Sequence, residues 1–345
     1  MTRKPLSNVD TAWLRMEDPT NLMMISGVMV FGAPIDFERL RATVENRLLC
    51  FDRFRQRIAP PSLFSCGFHW EDDPYFDINY HLQRVSLPSP GDQAALQDMA
   101  SLLASTQLDL SRPLWQLHLV EEHGDGCALI CRLHHCIADG HALVHVLLSL
   151  ADTQSDAAWP ALQPPTDREQ SRPPRRRLRR LRSAIRMTRR TAGRMIRGGI
   201  GTVSQPSRVV DAARLGTRGI DALGRLLLLW PDPKTPFKGE LAVPKRAAWS
   251  APLPLQDVKS IGRELVGTVN DVLLTAMTGA LRRYLQGREE TVKGLNFRTI
   301  VPVNLRRPGT EAELGNKFGL VFLSLPVGIA DPSKRLQELK RRMDA

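Results

Sequence analysis

The sequence predicts an α+β protein with two domains, and three observations support this prediction. The chain has 345 residues, a length that favours two domains over one. Hydrophobic residues make up 42% of the chain and charged residues 24%, as in globular proteins. Segments with strand-like alternation and segments with helical spacing are mixed on both sides of a stretch rich in Pro, Gln, Asp and Ser. We therefore assign residues 1–151 to a first domain, 152–245 to a linker and 246–345 to a second domain.

The first domain begins with a capped helix and a strand. Ser7 and Asp10 have the spacing of a capping box, which predicts a short helix through about residue 16. The stretch MMISGVMVF at 23–31 predicts a strand, and Asp36 caps the helix that follows it. The other predicted elements are strands near 67–71, 78–85, 114–121 and 127–134, and helices around 96–103 and 140–151.

The second domain has the same mixture of elements. Thr268 and Asp271 form a capping box that predicts a helix over 269–285. An amphipathic helix begins at Asp331 and continues to the last residue, and no glycine cap, proline or polar tail ends it. We therefore expect the second domain to be incomplete. The remaining predicted elements are a strand near 246–251, a helix near 254–265 and strands near 297–304 and 317–326.

Composition argues against several classes of protein. No run of residues approaches the roughly 18 apolar residues that a membrane-spanning helix needs. The N-terminus has no apolar segment of the kind found in secretory signals. The five cysteines include no Cys-x-x-Cys pair, and their odd number favours reduced thiols over a disulfide framework. These features predict a cytoplasmic protein.

The net charge of +12 comes from one segment, because residues 171–200 contain twelve arginines and no Lys, Asp or Glu. Leu178, Leu181 and Ile185 are interleaved with these arginines, a pattern typical of a basic amphipathic helix on an anionic membrane or lipid-droplet surface. Nucleic-acid binding and a solvated connection between domains are the alternatives. No nucleic-acid-binding motif accompanies the charge, so we favour the membrane interpretation.

The stretch CRLHHCIADGH at 131–141 is the strongest candidate for a functional site. His134 and His135 fall at the end of a predicted strand, so their side chains point to opposite faces and cannot share a metal ion. A single neutral imidazole, in contrast, can accept a proton from an alcohol that attacks an acyl group. Asp139 would then hold the loop through an ion pair with an arginine, and Gly140 would permit a tight turn. Buried structural histidines remain the alternative.

Five motifs together resemble one family of enzymes. HHCIADG matches the HHxxxDG signature of the chloramphenicol acetyltransferase-like acyltransferases and of condensation domains. The opening PLSNVDTAWLRMEDPTN, the motif Pro113-Leu114-Trp115 and the pair Asn270-Asp271 occur in the same order as in bacterial wax ester synthase/diacylglycerol acyltransferases. IVPVNLRRPGTEAELGNKFGLVFLSLP is similar to a later strand pair of that family. The resemblance covers nearly the whole chain.

This resemblance implies two chloramphenicol acetyltransferase-like domains with a tunnel between them. It also implies an O-acyltransferase that uses acyl-coenzyme A as a substrate and needs no metal or other cofactor. The acceptor would be diacylglycerol or a long-chain alcohol. His135 would be the general base, His134 its structural neighbour and Asp139 an ion-paired organiser, with Arg306 as a suggested partner. We expect peripheral association with the inner membrane or lipid droplets, no nucleic-acid partner, and a partner chain as one way to complete the second domain.

The remaining motifs have less direct roles. Asn270 lies in the first turn of a predicted helix, where exposed N–H groups and the amide suit a developing oxyanion or substrate positioning. The alternative is that Asn270 only helps to begin the helix. Pro113, Leu114 and Trp115 are interpreted as a strand start with a buried indole. Two further functions remain open: a truncated, non-catalytic lipid- or membrane-binding homologue, and an acyltransferase for a polyketide or peptide intermediate.

Overall fold

The computed structural model describes residues 3–61, 67–152, 154, 232–305, 314–316 and 318–344. Met1–Leu162 and Pro233–Ala345 belong to one compact unit. The arginine-rich segment, most of the proposed linker and Arg306 lie outside the described residues. Within the described ranges, the helices are too short or too polar to cross a bilayer.

The first part of the chain contains seven strands and five helices among its described residues. Helix α2 continues as a π-helical turn at Val44–Leu48, and a short 3-10 turn follows at Asp52–Phe54. In chain order the elements are β1 (Lys4–Pro5), α1 (Asn8–Arg15), β2 (Met24–Phe31), α2 (Phe37–Thr43), β3 (Gln56–Ala59), β4 (His69–Asp72), α3 (Ile78–His81), β5 (Leu82–Val85), α4 (Gln93–Ala104), β6 (Trp115–His123), β7 (Gly126–His134) and α5 (Gly140–Leu148).

The described residues after 232 form a smaller set of elements. Strands β8 and β9 pair as an antiparallel ribbon, and three helices accompany them. These elements are α6 (Leu255–Glu264), α7 (Val269–Gln286), β8 (Phe297–Asn304), β9 (Phe318–Leu325) and α8 (Pro332–Met343).

The main sheet has the strand order β2-β7-β6-β5, in which only the β5–β6 pair is parallel. Every residue of β7 is buried, and β7 is one of the two inner strands of this sheet. One face of the sheet contributes Leu117, Leu129 and Leu133 to the largest apolar core. The opposite face packs on α4 through Val120 and Ile130. The carboxyl end of β7, where His134 lies, is therefore fixed on both faces.

Most predicted elements are confirmed, because local capping and periodicity determine them. Asp36, Thr268 and Asp331 are the N-caps of α2, α7 and α8, and the capping box of Thr268 with Asp271 is complete. Ser7 caps α1, but the carboxylate of Asp10 does not close the predicted box. It binds Arg53 and Asn316 instead, because both donors reach it from distant parts of the chain.

Two predicted strands differ in the structure. Residues 246–251 form no strand, because this extended segment binds helix α4 and not a sheet edge: Ala247 N–H donates to Ser101 Oγ at 2.8 Å. Residues 78–81 form the short helix α3, because the Asp77 carboxylate accepts the backbone N–H of Asn79 and begins a helical turn. Strand β3 was not predicted at all.

Candidate active site

The two adjacent histidines lie where β7 ends. Backbone hydrogen bonds hold both of them: His134 N–H donates to Leu114 O at 3.0 Å, and His135 N–H donates to Met23 O at 2.8 Å. Both neighbouring strands of the sheet therefore fix the main chain at this point. The contact with Leu114 also connects the HHxxxDG motif directly to the Pro-Leu-Trp motif.

His134 is buried and both of its ring nitrogens face polar groups. Its Nδ1 accepts the backbone N–H of Cys136 at 3.0 Å, so the neutral ring carries its proton on Nε2. That nitrogen lies 3.4 Å from Oε2 of Glu17. Burial raises the pKa of Glu17, but hydrogen bonds from His134 and the backbone of Met23 outweigh this and leave the pKa below its usual value. His134 is thus held on the side of the carboxylate, away from any open space.

His135 is half-buried and faces a cavity of about 380 Å³. Its imidazole stacks on the indole of Trp13, with ring centroids 4.3 Å apart and planes inclined by 13°. Burial lowers the pKa of His135 below its ordinary value, and His134 lowers it further. The ring is therefore neutral near pH 7 and free to accept a proton.

The cavity is mostly apolar and contains residues from both ends of the chain. Its wall away from His135 comes from β8 and β9, including Pro302, Val303 and Leu320. No serine, threonine or cysteine occurs among the described residues that line it. The lining residues are Trp13, His135, Asp139, Gly140, His141, Pro302, Val303, Asn304, Phe318 and Leu320.

Asp139 and Gly140 begin helix α5 beside His135. Asp139 is buried and is the N-cap, with its Oδ1 accepting Ala142 N–H at 3.1 Å. The suggested partner Arg306 lies outside the described residues. The prediction that Gly140 permits a tight turn is wrong: its φ is outside the left-handed region, because Asp139 makes the turn in an extended conformation. A Cβ at Gly140 would meet no atom within 4 Å, so the missing side chain leaves space at the cavity.

Arg53, which the sequence did not single out, holds the loop that follows His135. Its Nη1 donates to the carbonyls of Cys136 (3.0 Å) and Ile137 (2.5 Å), and its Nη2 forms an ion pair with Asp10 at 3.1 Å. Among the described residues, this guanidinium fixes the loop that we expected Asp139 to hold. No sequence signal marks it, because these contacts join residues more than 40 positions apart.

The Pro-Leu-Trp motif is buried behind the histidines. Trp115 begins β6, and its indole N–H donates to Phe54 O at 2.8 Å. Its ring stacks on His81 with centroids 4.6 Å apart. Pro113, Leu114 and Trp115 are all buried and contribute packing and backbone contacts, and none of them lines the cavity.

Asn270 lies in the first turn of α7, as the capping box predicts, and is exposed. Asp271 is buried, and its Oδ2 accepts the backbone N–H of Thr268 at 2.7 Å. Asn270 is not one of the described residues that line the His135 cavity. The oxyanion role therefore stays a prediction, and the described contacts support the alternative of a helix start.

Sequence reasoning also missed Trp13 and Asn316, which contact His135 from opposite ends of the chain. Asn316 Nδ2 donates to His135 O at 2.9 Å and to Asp10 Oδ1 at 2.8 Å. Over the described ranges, no three metal-ligating side chains come together. The described arrangement is thus an organic acid–base site, at which the imidazoles of His135 and His141 both line an apolar cavity.

Comparison with known proteins is consistent with this chemistry. Residues 6–273 match the family model of the wax ester synthase/diacylglycerol acyltransferase catalytic domain, and residues 314–345 match that of the WS/DGAT C-terminal domain. A probable diacylglycerol O-acyltransferase of Mycobacterium tuberculosis (strain ATCC 25618 / H37Rv) is 29% identical over 342 residues, which cover 98% of this chain and 70% of the relative. A putative diacylglycerol O-acyltransferase of Mycobacterium bovis is 30% identical over 97% of this chain and 72% of its own length.

Two solved structures share the fold. The wax ester synthase/diacylglycerol acyltransferase from Marinobacter aquaeolei VT8 aligns with a TM-score of 0.63 at 20% identity, over 99% of this chain and 72% of that one. The first condensation domain of the calcium-dependent antibiotic synthetase aligns with a TM-score of 0.59 at 16% identity, over 100% and 74% of the two chains. The predicted mixed fold, similar to the chloramphenicol acetyltransferase-like enzymes, is confirmed.

Proposed function

The chain belongs to the wax ester synthase/diacylglycerol acyltransferase family, and on this premise we propose that it transfers a long-chain acyl group from acyl-coenzyme A to a hydroxyl acceptor. The enzyme class is an acyltransferase of neutral-lipid synthesis. The proposal adds the acyl donor, the acceptor and the residue that performs the chemistry. Diacylglycerol and a long-chain alcohol are the two candidate acceptors.

One observation carries the proposal: the neutral imidazole of His135 opens onto an apolar cavity of about 380 Å³. His135 accepts the proton of the acceptor hydroxyl as its oxygen attacks the thioester carbonyl carbon. The tetrahedral intermediate then collapses, the carbon–sulfur bond breaks, and the leaving thiolate of coenzyme A takes the proton from His135. Proton and acyl group are both accounted for, and the imidazole returns to its neutral form.

Direct transfer fits the side chains near His135 better than an acyl-enzyme. The thiol of Cys136, the residue after His135, is fully buried, and burial raises its pKa far above neutrality. Burial likewise raises the pKa of Cys131 to about 12. A thiol that stays protonated is a poor nucleophile, so direct transfer between two bound substrates, without an acyl-enzyme, is the simpler mechanism.

An acceptor with long acyl chains needs apolar walls and a route from a lipid phase. The cavity supplies apolar walls through Trp13, Phe318 and Leu320. We propose that the arginine-rich segment 171–200 brings the enzyme to an anionic membrane or lipid-droplet surface. This proposal rests on composition alone, because that segment lies outside the described residues.

The test is acyl transfer from radiolabelled palmitoyl-coenzyme A by the purified chain, with dioleoylglycerol and hexadecanol as parallel acceptors. Labelled triacylglycerol or wax ester identifies the acceptor. His135→Ala should lower turnover by about 10²–10⁴-fold, the range for loss of a general base. His145→Ala is the matched control, because His145 is exposed on the nearby helix α5 and does not line the cavity.

Two outcomes would contradict the proposal. Unchanged turnover in His135→Ala would remove the base assignment. No product from folded protein that still binds anionic liposomes would favour the alternative function, a non-catalytic lipid-binding homologue.

A further inference from the structure

The plane of the His135 ring is fixed, but stacking alone does not decide which nitrogen faces the cavity. Trp13 lies parallel to the imidazole at 4.3 Å. A rotation of 180° about the Cβ–Cγ bond exchanges Nδ1 with Cδ2 and Nε2 with Cε1, and it leaves the stacked plane unchanged. A general base needs its lone pair at one defined position, so a polar partner must lock the ring.

Two hydrogen bonds fix the orientation of the Asn316 side-chain amide next to His135. Its Nδ2 donates one hydrogen to His135 O at 2.9 Å and the other to Asp10 Oδ1 at 2.8 Å. Both acceptors are oxygens, so turning the amide over would bring Oδ1 against two other oxygens. Asp10 is itself buried and paired with Arg53, which keeps this anchor in place. The oxygen of the Asn316 amide therefore has one orientation.

Two atoms at this site complement each other. Among the described residues, Oδ1 of Asn316 and Nδ1 of His135 are both buried, and neither has a conventional hydrogen-bond partner. One is an acceptor, and the other becomes a donor when it carries the ring proton. The side chain of Asn316 also acts to raise the pKa of His135, as does the backbone of His135 itself, against the larger lowering by burial. The Asn316 amide therefore lies beside His135, as its hydrogen bond to His135 O also requires.

We propose that Asn316 is a positioning residue that holds His135 in the Nδ1–H tautomer, with its Oδ1 accepting that proton and Nε2 left as the base at the cavity. The inference rests on the proposed role of His135. The neighbouring histidine has the opposite arrangement, because Nδ1 of His134 accepts Cys136 N–H and its proton lies on Nε2. Two adjacent histidines in opposite tautomers explain why only one of them offers a lone pair to substrate.

The test measures the tautomer directly. Protein labelled with ¹⁵N-histidine is examined by NMR near pH 8, where the neutral ring gives separate signals for its protonated and unprotonated nitrogens. His135→Ala assigns the signals of His135. The wild-type ring should carry its proton on Nδ1. This spectrum alone is decisive, because an Nε2–H ring in the wild type would overturn the inference without any variant.

Two variants of similar size separate the acceptor from the donors. Asn316→Asp keeps an oxygen facing Nδ1 but loses both N–H bonds, and it should retain the Nδ1–H tautomer. Asn316→Leu loses both functions and should shift the ring toward Nε2–H. Its kcat should fall roughly 10–10²-fold, less than complete loss of the base, with KM little changed because Asn316 does not line the cavity. Asn79→Ala on the exposed surface is the control.

The outcomes distinguish this inference from the proposed function. An unchanged tautomer and kcat in Asn316→Leu, with activity lost in His135→Ala, would overturn the inference and leave the proposed function standing. Full activity in His135→Ala would contradict the proposed function, whatever the spectra show.

Discussion

The buried ion pair of Asp10 with Arg53 should contribute strongly to the stability of the loop after His135. The side chain of Asp10 is 1% exposed and that of Arg53 is 20% exposed. Arg53→Met leaves the Asp10 carboxylate buried with no opposite charge, and it also removes a donor from the carbonyls of Cys136 and Ile137. Removing one member of a buried pair costs about 3–5 kcal/mol, and we expect a loss of unfolding free energy in that range.

The reciprocal change should cost less. Asp10→Asn is nearly isosteric and neutral, while Arg53 keeps two carbonyl acceptors and some contact with solvent, so we expect a loss of about 1–3 kcal/mol. In the double variant neither charge is left buried without its partner. The double variant should therefore lose less unfolding free energy than the sum of the two single losses. The difference, roughly 1–3 kcal/mol, is the coupling energy of the pair.

The assay is urea unfolding monitored by tryptophan fluorescence, on the wild type and the three variants. Lys4→Met is the matched control, because Lys4 binds Asp52 at 2.9 Å on an exposed surface, where such pairs contribute only about 0–1 kcal/mol. Two results would refute this account of the loop. One is a double variant whose loss of unfolding free energy equals the sum of the two single losses. The other is a loss in Arg53→Met no larger than that in Lys4→Met.

Two further predictions concern the cavity and the sheet. Gly140→Ala should leave the unfolding free energy within about 0.5 kcal/mol but lower kcat/KM, because the added Cβ meets no protein atom within 4 Å and instead occupies cavity space; unchanged kinetics would contradict this. Burial lowers the pKa of His118 from 6.5 to about 4, so the unfolded chain binds a proton first as the pH falls. Stability should therefore be lost between pH 6.5 and 4 by roughly 1.4 kcal/mol per pH unit. In His118→Leu, the difference in unfolding free energy between pH 7 and pH 5 should be smaller by this contribution. If that difference is the same as in the wild type, His118 is not the source of the pH dependence.

The limits of sequence-based prediction are clear at particular residues. The N-caps Asp36, Thr268 and Asp331 were found because a capping side chain and the amide it binds are neighbours in sequence. Asp10 shows the limit, since its spacing from Ser7 is right but its carboxylate binds Arg53 and Asn316. The segment at 246–251 shows a second limit. A strand-like sequence pattern does not say whether the segment will bind the edge of a sheet or, as here, a helix.

The sequence by itself determined the family motifs, the end of β7 as the site of the two histidines and most of the helices and strands. These features depend on local periodicity and short spacings, which any reading of the chain can detect. Only the tertiary structure decided which groups surround His135. Asn316 binds its carbonyl from 181 residues away, and Trp13 stacks on its ring from near the other end of the chain. Such contacts arise from the packing of whole elements, and no local pattern in a single sequence encodes them.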